Sequence, residues 1–237
     1  MKKESFDFVT GEILLIDKPV EWTSFDAVNR IRSMLKRHLG LKLKVGHAGT
    51  LDPLATGLLI ICTGKFTKRI DEFQAQEKEY TGTFVIGATT PSFDLEHGID
   101  KTFPVMHITD EMIRGAAKQF TGSIEQVPPM YSAIKVEGKR AYKLARKGED
   151  SEIPARKIEI SEFEITGISR KETIIEADFR VVCSKGTYIR SLARDFGTAL
   201  NSGAYLTNLR RTRIGEFRVE DAMTVEQLEL MVKGNAE

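Results

Sequence analysis

The stretch Gly46-His47-Ala48-Gly49-Thr50-Leu51-Asp52-Pro53-Leu54-Ala55-Thr56-Gly57 combines three glycines, one proline, two threonines and one aspartate within this 237-residue sequence. An apolar run at 58–62 follows it directly, which predicts a loop that leads into a buried strand. Glycine lets a backbone approach a ligand closely, and a loop on a rigid scaffold is a common place for a reactive group. Asp52 is the only carboxylate in the stretch. Asp52 is therefore the candidate reactive group. The alternative is that the stretch is only a turn-rich connection between elements.

Outward from this loop, the hydrophobic pattern predicts strands and helices in irregular order. Residues 12–16 and 80–86 are typical of strands, two strands are expected within 156–169, and 89–104 is expected to be a long loop. A helix is predicted after a cap at Thr23, with one apolar face made of Phe25, Val28, Ile31 and Leu35. Isolated helices mixed with hairpin-like strand pairs, without a repeated β-α unit, favour an α+β fold.

The composition is that of an ordinary globular protein. The hydrophobic fraction is 41% and the charged fraction 29%, which disfavours a disordered chain and allows one well-buried domain. The longest apolar run, 58–62, is too short to span a bilayer, and the polar N-terminus has no secretory signal. We therefore expect a cytoplasmic protein without membrane contact. Cys62 and Cys183 lie in apolar or alternating runs and are expected to be buried free thiols.

Basic residues are segregated along the chain although the net charge is only +1. Residues 30–44 carry six lysines and arginines and no acid, and residues 135–147 carry six against one glutamate. Taken alone, each stretch is explained by a solvent-exposed face of a helix or loop. Together they favour a polyanionic partner such as a nucleic acid.

Metal and cofactor signatures are weak. The four histidines have no ligand spacing with each other or with the cysteines. The stretch Thr63-Gly64-Lys65 lacks the upstream glycine spacing of a phosphate-binding loop, and Phe66 stands where that loop needs a hydroxyl. We expect neither a metal nor an organic cofactor.

Several blocks in addition to the Asp52 loop carry a family resemblance, in family order across nearly the whole chain. They are Leu15-Ile16-Asp17-Lys18-Pro19 with Thr23-Ser24, Lys78-Glu79-Tyr80, Gln126-Val127-Pro128-Pro129-Met130-Tyr131-Ser132-Ala133-Ile134-Lys135, Gly138-Lys139-Arg140-Ala141-Tyr142, Cys183-Ser184-Lys185-Gly186-Thr187-Tyr188-Ile189-Arg190 and Leu206-Thr207-Asn208-Leu209-Arg210-Arg211. With these blocks the sequence resembles the tRNA pseudouridine synthase B family. The resemblance implies the pseudouridine synthase fold, with a mixed, mostly antiparallel central sheet flanked by helices and loops and an RNA-binding cleft.

The resemblance also implies the chemistry of the site. Asp52 matches the family nucleophile, and Arg190 matches an arginine that pairs with it and keeps it ionised. Tyr80 matches the aromatic residue that stacks on the flipped base, and Tyr188 stands at a second active-site tyrosine position. His47 matches a histidine that helps to hold the target base out of the RNA loop.

Weaker assignments concern the pocket and the RNA grip. Leu209 matches an apolar residue that lines the base pocket, and Lys18 matches a lysine beside the pocket. A purely structural role in packing explains the presence of either residue nearly as well. Residues 135–150 fall where the family has a mobile arm that clamps RNA. The arm residues expected to bind RNA are Lys135, Lys139, Arg140, Lys143 and Arg146.

The resemblance implies isomerisation of uridine to pseudouridine at position 55 in the T-loop of tRNA, by a monomer that recognises the T-arm stem-loop without a guide RNA. Glu21 departs from the family, which usually has glycine there, and puts the local turn geometry in doubt. We expect a single catalytic domain over 1–237 with a short helical tail at 219–237 and no separate C-terminal RNA-binding domain. A synthase with another RNA target, a non-catalytic RNA-binding module, and an unrelated hydrolase using Asp52 and His47 are the alternatives.

Overall fold

The computed structural model describes residues 6–132, 134–136, 139–141 and 153–234. The chain divides into two compact units: a first unit of residues 1–80 and 210–237, and a second unit of residues 81–209. Helices and strands are mixed, and the central sheet is mostly antiparallel. The predicted α+β class is therefore confirmed.

The strands of the first unit are arranged around β3 (Thr56–Thr63). Strand β1 (Ile13–Lys18) runs antiparallel along most of β3, from the pair Ile13 and Cys62 to the pair Lys18 and Gly57. Strand β2 (Val45–His47) is also antiparallel to β3, whereas the final part of β12 (Ala204–Ile214) is parallel to it. Strand β13 (Phe217–Arg218) pairs antiparallel with the end of β12. The Asp52 loop thus connects two antiparallel neighbours, β2 and β3.

Helix α1 (Ser24–Leu39) begins with the predicted cap. The Thr23 side chain accepts from the Asp26 backbone N–H, the Asp26 side chain accepts in return, and Gly40 ends the helix with φ of 66°. The predicted apolar face is wrong at Phe25, which is 59% exposed. At about 100° per residue, Phe25 lies well away from the centre of the buried stripe. The stripe consists of Ser24, Ala27, Val28, Ile31, Met34 and Leu35.

The described part of the first unit also contains two further α-helices. A 3₁₀ turn (Gly64–Arg69) leads into α2 (Ile70–Ala75). Helix α5 (Val225–Gly234) forms the predicted tail helix, and Thr224 and Gln227 make reciprocal capping hydrogen bonds. Side chains of α1 and α5 pack with β1 and β3 in one core, which includes Leu14, Ile16, Ile31, Leu35, Leu59, Ile61, Leu228 and Val232.

In the second unit, long antiparallel strands carry an aromatic core. Strand β10 (Arg156–Arg170) pairs with both β7 (Gly122–Gln126) and β11 (Ile175–Cys183). The prediction of two strands within 156–169 is wrong, because β10 is one strand of 15 residues whose register shifts near Ser161 and Thr166. The greater part of β4 (Lys78–Ile86) also belongs to this unit. Its core rings are Phe84, Phe163, Phe179 and Phe196.

The described part of the second unit also contains helices and short strand pairs. The helices are α3 (Asp110–Gln119) and α4 (Ile189–Ala199). The expected long loop at 89–104 contains a small strand pair, β5 (Ala88–Thr89) with β6 (Lys101–Thr102). The expected arm begins as another such pair, β8 (Lys135–Val136) with β9 (Lys139–Arg140). Residues 137–138 and 142–150 of the expected arm lie outside the described residues.

Within the ranges that the structure describes, no helix is long and apolar enough to cross a membrane.

Candidate active site

Asp52 lies in a tight turn between β2 and β3. The Ala55 N–H donates to the Asp52 carbonyl oxygen at 3.1 Å, and Asp52 is partly exposed. At the end of the loop Gly57 has φ of 100°, and a Cβ there would lie 2.3 Å from the Arg211 carbonyl oxygen. Any larger residue at Gly57 would push the loop away from β12.

The residue before Asp52 is held by a helix. The Leu51 N–H donates to Ser24 Oγ at 2.8 Å, and Ser24 Oγ lies 3.2 Å from the Leu51 carbonyl oxygen, to which it donates. Ser24 is the first residue of α1 and only 2% exposed, and Leu51 is 3% exposed. A single hydroxyl therefore satisfies both backbone polar groups of Leu51 away from water.

The residue after Asp52 is held by the turn that follows β1. The Pro53 carbonyl oxygen accepts from the Glu21 N–H at 2.8 Å and lies 3.4 Å from Lys18 Nζ. Lys18 Nζ also donates to the carbonyl oxygens of Pro19 at 2.8 Å and Trp22 at 2.6 Å. Glu21 has φ of 69°, in the left-handed region that favours glycine. The glutamate thus adopts a conformation natural for the glycine that the family usually has there.

Arg211 donates hydrogen bonds to backbone groups near both ends of the loop. Its Nε donates to the Leu58 carbonyl oxygen at 2.7 Å and its Nη2 to the Gly49 carbonyl oxygen at 3.1 Å. The side chain is 1% exposed. Its neighbour Arg210 forms a two-pronged pair with Asp17, at 3.0 and 2.7 Å. Charge-assisted bonds of this kind are stronger than neutral ones and fix geometry.

The electrostatics around the loop follow from burial. Burial lowers the pKa of Lys18 from 10.5 to about 8, although the nearby Asp52 carboxylate opposes the shift. Burial also lowers the pKa of His47, and the Arg211 cation lowers it further. His47 is therefore mainly neutral at neutral pH, and it offers an uncharged ring beside the loop.

In the second unit Arg190 is a buried cation with several partners. It is 4% exposed and lies in the first turn of α4. Its Nη2 donates to the Tyr131 carbonyl oxygen at 2.9 Å, its Nη1 to that of Ser92 at 3.3 Å, and its Nε lies 3.4 Å from Asp94 Oδ2. Asp94 is also buried. The Arg190 head group is therefore fixed from several directions.

Tyr188 is positioned by an amide clamp. The Tyr188 N–H donates to Gln126 Oε1 at 2.8 Å, and Gln126 Nε2 donates to the Tyr188 carbonyl oxygen at 3.1 Å. This pair ties the start of α4 to the end of β7. Leu209, on β12, is 7% exposed, and it belongs to the same unit.

The predicted site residues fall into two groups. Lys18, His47, Asp52 and Tyr80 belong to the first unit, where Tyr80 is a buried residue of β4. The second unit contains Tyr188, Arg190 and Leu209. The pairing of Arg190 with Asp52 stays a prediction. Of the arm residues, Lys135, Lys139 and Arg140 lie on β8 and β9, whereas Lys143 and Arg146 lie outside the described residues.

Sequence reasoning did not identify three residues that position the site residues, namely Ser24, Arg211 and Asp94. Ser24 and Arg211 stand in the blocks that carry the family resemblance, so their positions were a usable signal. Asp94 lies in the segment without periodicity, and nothing in the sequence distinguishes it there. Among the described residues, no group of three or more His, Cys, Asp or Glu side chains could hold a metal ion. The expectation that the reaction needs none stays a prediction.

Comparison with known proteins identifies the family. Residues 36–189 match the model described as "TruB family pseudouridylate synthase (N terminal domain)". The chain belongs to this family. Residues 190–237 match a second model, "tRNA pseudouridylate synthase B C-terminal domain". Our expectation of one catalytic domain over 1–237, without a separate C-terminal RNA-binding domain, stays a prediction.

Curated relatives match over nearly the whole chain. The tRNA pseudouridine synthase B of Flavobacterium johnsoniae is 60% identical over 94% of this chain and 96% of its own. That of Phocaeicola vulgatus is 60% identical over 93% of this chain and 92% of its own. That of Chlorobium luteolum is 51% identical over 91% of this chain but 73% of its own. This member of the family is therefore similar to synthases of comparable and of greater length.

Solved structures support the fold. A chain of the "Cbf5-Nop10-Gar1 Complex" superposes with a TM-score of 0.70 and 29% identity, over 94% of this chain. A chain in the structure of an "H/ACA RNP bound to a substrate RNA containing 2'-deoxyuridine" gives a TM-score of 0.65 and 27% identity, over 93% of this chain. This chain spans 54% and 52% of their lengths. The predicted pseudouridine synthase fold is confirmed.

Proposed function

We propose that this synthase isomerises uridine to pseudouridine at position 55 in the T-loop of tRNA, with Asp52 as the nucleophile. The observation that carries the proposal is the way Asp52 is presented. Asp52 is partly exposed, whereas the residues on both sides of it are fixed by Ser24, Glu21 and Lys18. A carboxylate on a loop fixed in this way is placed for nucleophilic attack without large rearrangement.

The chemistry requires a nucleophile that can also leave. The Asp52 carboxylate forms a covalent adduct with the target nucleotide, the bond between the sugar carbon and the base nitrogen breaks, and the base turns. A bond from the same sugar carbon to a ring carbon then forms, that ring carbon loses its proton, the ring nitrogen that left the sugar takes up a proton, and the carboxylate is released. Substrate and product contain the same atoms, so the reaction consumes neither an oxidant nor a co-substrate.

The remaining site residues support this step. The target base must leave the folded T-loop before Asp52 reaches it. The neutral ring of His47 is proposed to take up the space that the base vacates, and Tyr80 to stack on the extruded base. Arg190 is proposed to keep the Asp52 carboxylate ionised, and Tyr188 and Leu209 to line the pocket around the base.

We propose that the enzyme acts in the cytoplasm as a monomer on tRNA alone. The support is the identity to curated tRNA pseudouridine synthase B proteins, which match this chain almost end to end. Basic residues of the arm at 135–150 are proposed to bind T-arm phosphates, which position the substrate while loop shape provides selectivity.

The experiment is to incubate the purified protein alone with unmodified tRNA and to map pseudouridine at single-nucleotide resolution. We expect modification of U55 only, in whole tRNA and in an isolated T-arm stem-loop, with a tRNA carrying cytidine at position 55 as the control. Sedimentation of the same sample gives the oligomeric state. Modification elsewhere, or activity that appears only after a guide RNA is added, would contradict the proposal.

A further inference from the structure

Ser24 is connected to the nucleophile through one residue of backbone. Its hydroxyl accepts from the Leu51 N–H at 2.8 Å and donates to the Leu51 carbonyl oxygen at a distance of 3.2 Å. Because Ser24 and Leu51 are 2% and 3% exposed, water is not available to replace these bonds. The orientation of the Leu51 carbonyl also fixes the peptide plane that it shares with Asp52.

The hydroxyl itself is held rigidly. Ser24 is the first residue of α1, directly after the capping box of Thr23 and Asp26. Helix α1 in turn packs its buried face against the core of the first unit. The position of Ser24 Oγ is therefore set by a helix start, and the loop takes its geometry from it.

We propose that Ser24 is a positioning residue for Asp52. The proposal rests on the function proposed above, in which Asp52 is the nucleophile. Ser24 acts through Leu51 in this proposal, because both hydrogen bonds of its hydroxyl are with the Leu51 backbone. Its removal should slow the chemical step and leave RNA binding nearly unchanged, since no RNA-binding group is lost.

Thr63 offers a matched control in the same unit. Its Oγ1 accepts from the Glu12 N–H at 3.0 Å and donates to the Phe8 carbonyl oxygen at a distance of 3.2 Å, and the residue is 0% exposed. Thr63→Val therefore removes the same kind of two-way hydroxyl contact from a buried site at the other end of β3. It separates the cost of losing buried hydrogen bonds from an effect on the Asp52 loop.

The experiment measures the single-turnover rate of pseudouridine formation at saturating enzyme, and the Kd for T-arm RNA, well below the melting temperature of each variant. We expect Ser24→Ala to lower the rate about 10- to 100-fold while the Kd stays within about threefold, because small displacements of a reacting group are costly. Ser24→Thr, which keeps the hydroxyl, should recover most of the rate. Thr63→Val should stay within about threefold of the wild-type rate.

Two results would overturn the proposal: a Ser24→Ala rate within about threefold of the wild type, or a large loss of the same size in Ser24→Ala and Thr63→Val. If Ser24→Ala does not fold, Ser24→Cys fills the same space with a weak hydrogen-bonding group, and an unchanged rate in that variant overturns the proposal too. Asp52→Asn is measured in parallel. An active Asp52→Asn enzyme refutes the proposed nucleophile, whereas an inactive one combined with a normal Ser24→Ala rate refutes only the role of Ser24.

Discussion

The Glu21 N–H donates to the Pro53 carbonyl oxygen at 2.8 Å, and Glu21 makes this contact with φ of 69°. A residue with a Cβ is strained in this region, and glycine is not. We expect Glu21→Gly to be about 1 kcal/mol more stable than Glu21→Ala, because only the glycine variant relieves the strain. Urea unfolding of the two variants measures the difference.

The hydrogen bond between Glu21 and Pro53 also allows a test of whether this turn is needed for catalysis. Glu21→Gly keeps the N–H that Pro53 uses, so its turnover should equal that of the wild type. Glu21→Pro removes the N–H and cannot adopt a positive φ, and its turnover should fall steeply. Equal stability of the glycine and alanine variants would show that position 21 is not strained.

Lys18 should make stability depend on pH on the alkaline side. Its pKa in the folded protein is about 8, because of burial, against an ordinary value of 10.5. Between these values the unfolded chain binds the proton and the folded chain does not, so the free energy of unfolding should rise with pH. Comparing Lys18→Met with the wild type by urea unfolding at several pH values isolates this contribution. Lys44→Met, at an exposed position, is the control and should show no such difference.

Arg190 should tolerate lysine poorly. Its guanidinium reaches the carbonyl oxygens of Ser92 and Tyr131 as well as the Asp94 carboxylate, and a single ammonium does not reproduce this fork. We expect Arg190→Lys to lose about 2 kcal/mol of stability and to lower turnover more than RNA affinity. Arg194→Lys, one turn later on the partly exposed face of α4, is the control. Similar losses in both variants would argue against a special role for Arg190.

Glu229 should contribute to stability at neutral pH and not in acid. The hydrogen bond with His38 lowers the pKa of Glu229, as do the Arg30 and Lys233 cations. A lowered carboxyl pKa stabilises the fold above the ordinary value of 4.5 and loses that effect as pH falls through the folded value. Glu229→Gln should therefore be less stable than the wild type near pH 7, with the difference shrinking in acid. Glu226→Gln, exposed on the same helix, should show a smaller difference.

Local patterns predicted the elements that depend on local physics. The Thr23 cap, the buried strand after the Asp52 loop and the final helix all follow from residues that are close in sequence. The phase of helix α1 was harder to predict, because Phe25 is apolar yet lies well away from the buried stripe and is exposed. Alternation also did not distinguish one irregular strand from two in β10, where register shifts interrupt the pattern.

Among the site residues, too, some could be predicted from the sequence and others could not. The Asp52 loop stands out through its glycines, and the family resemblance supplied roles for residues that periodicity treats as ordinary. The clamps on the loop join positions far apart in the chain, such as Ser24 with Leu51 and Arg211 with Gly49. Without the fold there is no reason to pair them. For Glu21 the sequence signal was the glycine that the family usually has at this position, because a glutamate by itself gives no signal for a positive φ.

The central claim, that Asp52 is the nucleophile, is tested most directly by single-turnover pseudouridine formation in unmodified tRNA by the wild type and Asp52→Asn. Asparagine keeps the size of the side chain and removes the charge, so the loop should be preserved. We predict no detectable product from Asp52→Asn, with tRNA binding within about threefold of the wild type. Turnover by Asp52→Asn near the wild-type rate would contradict the assignment.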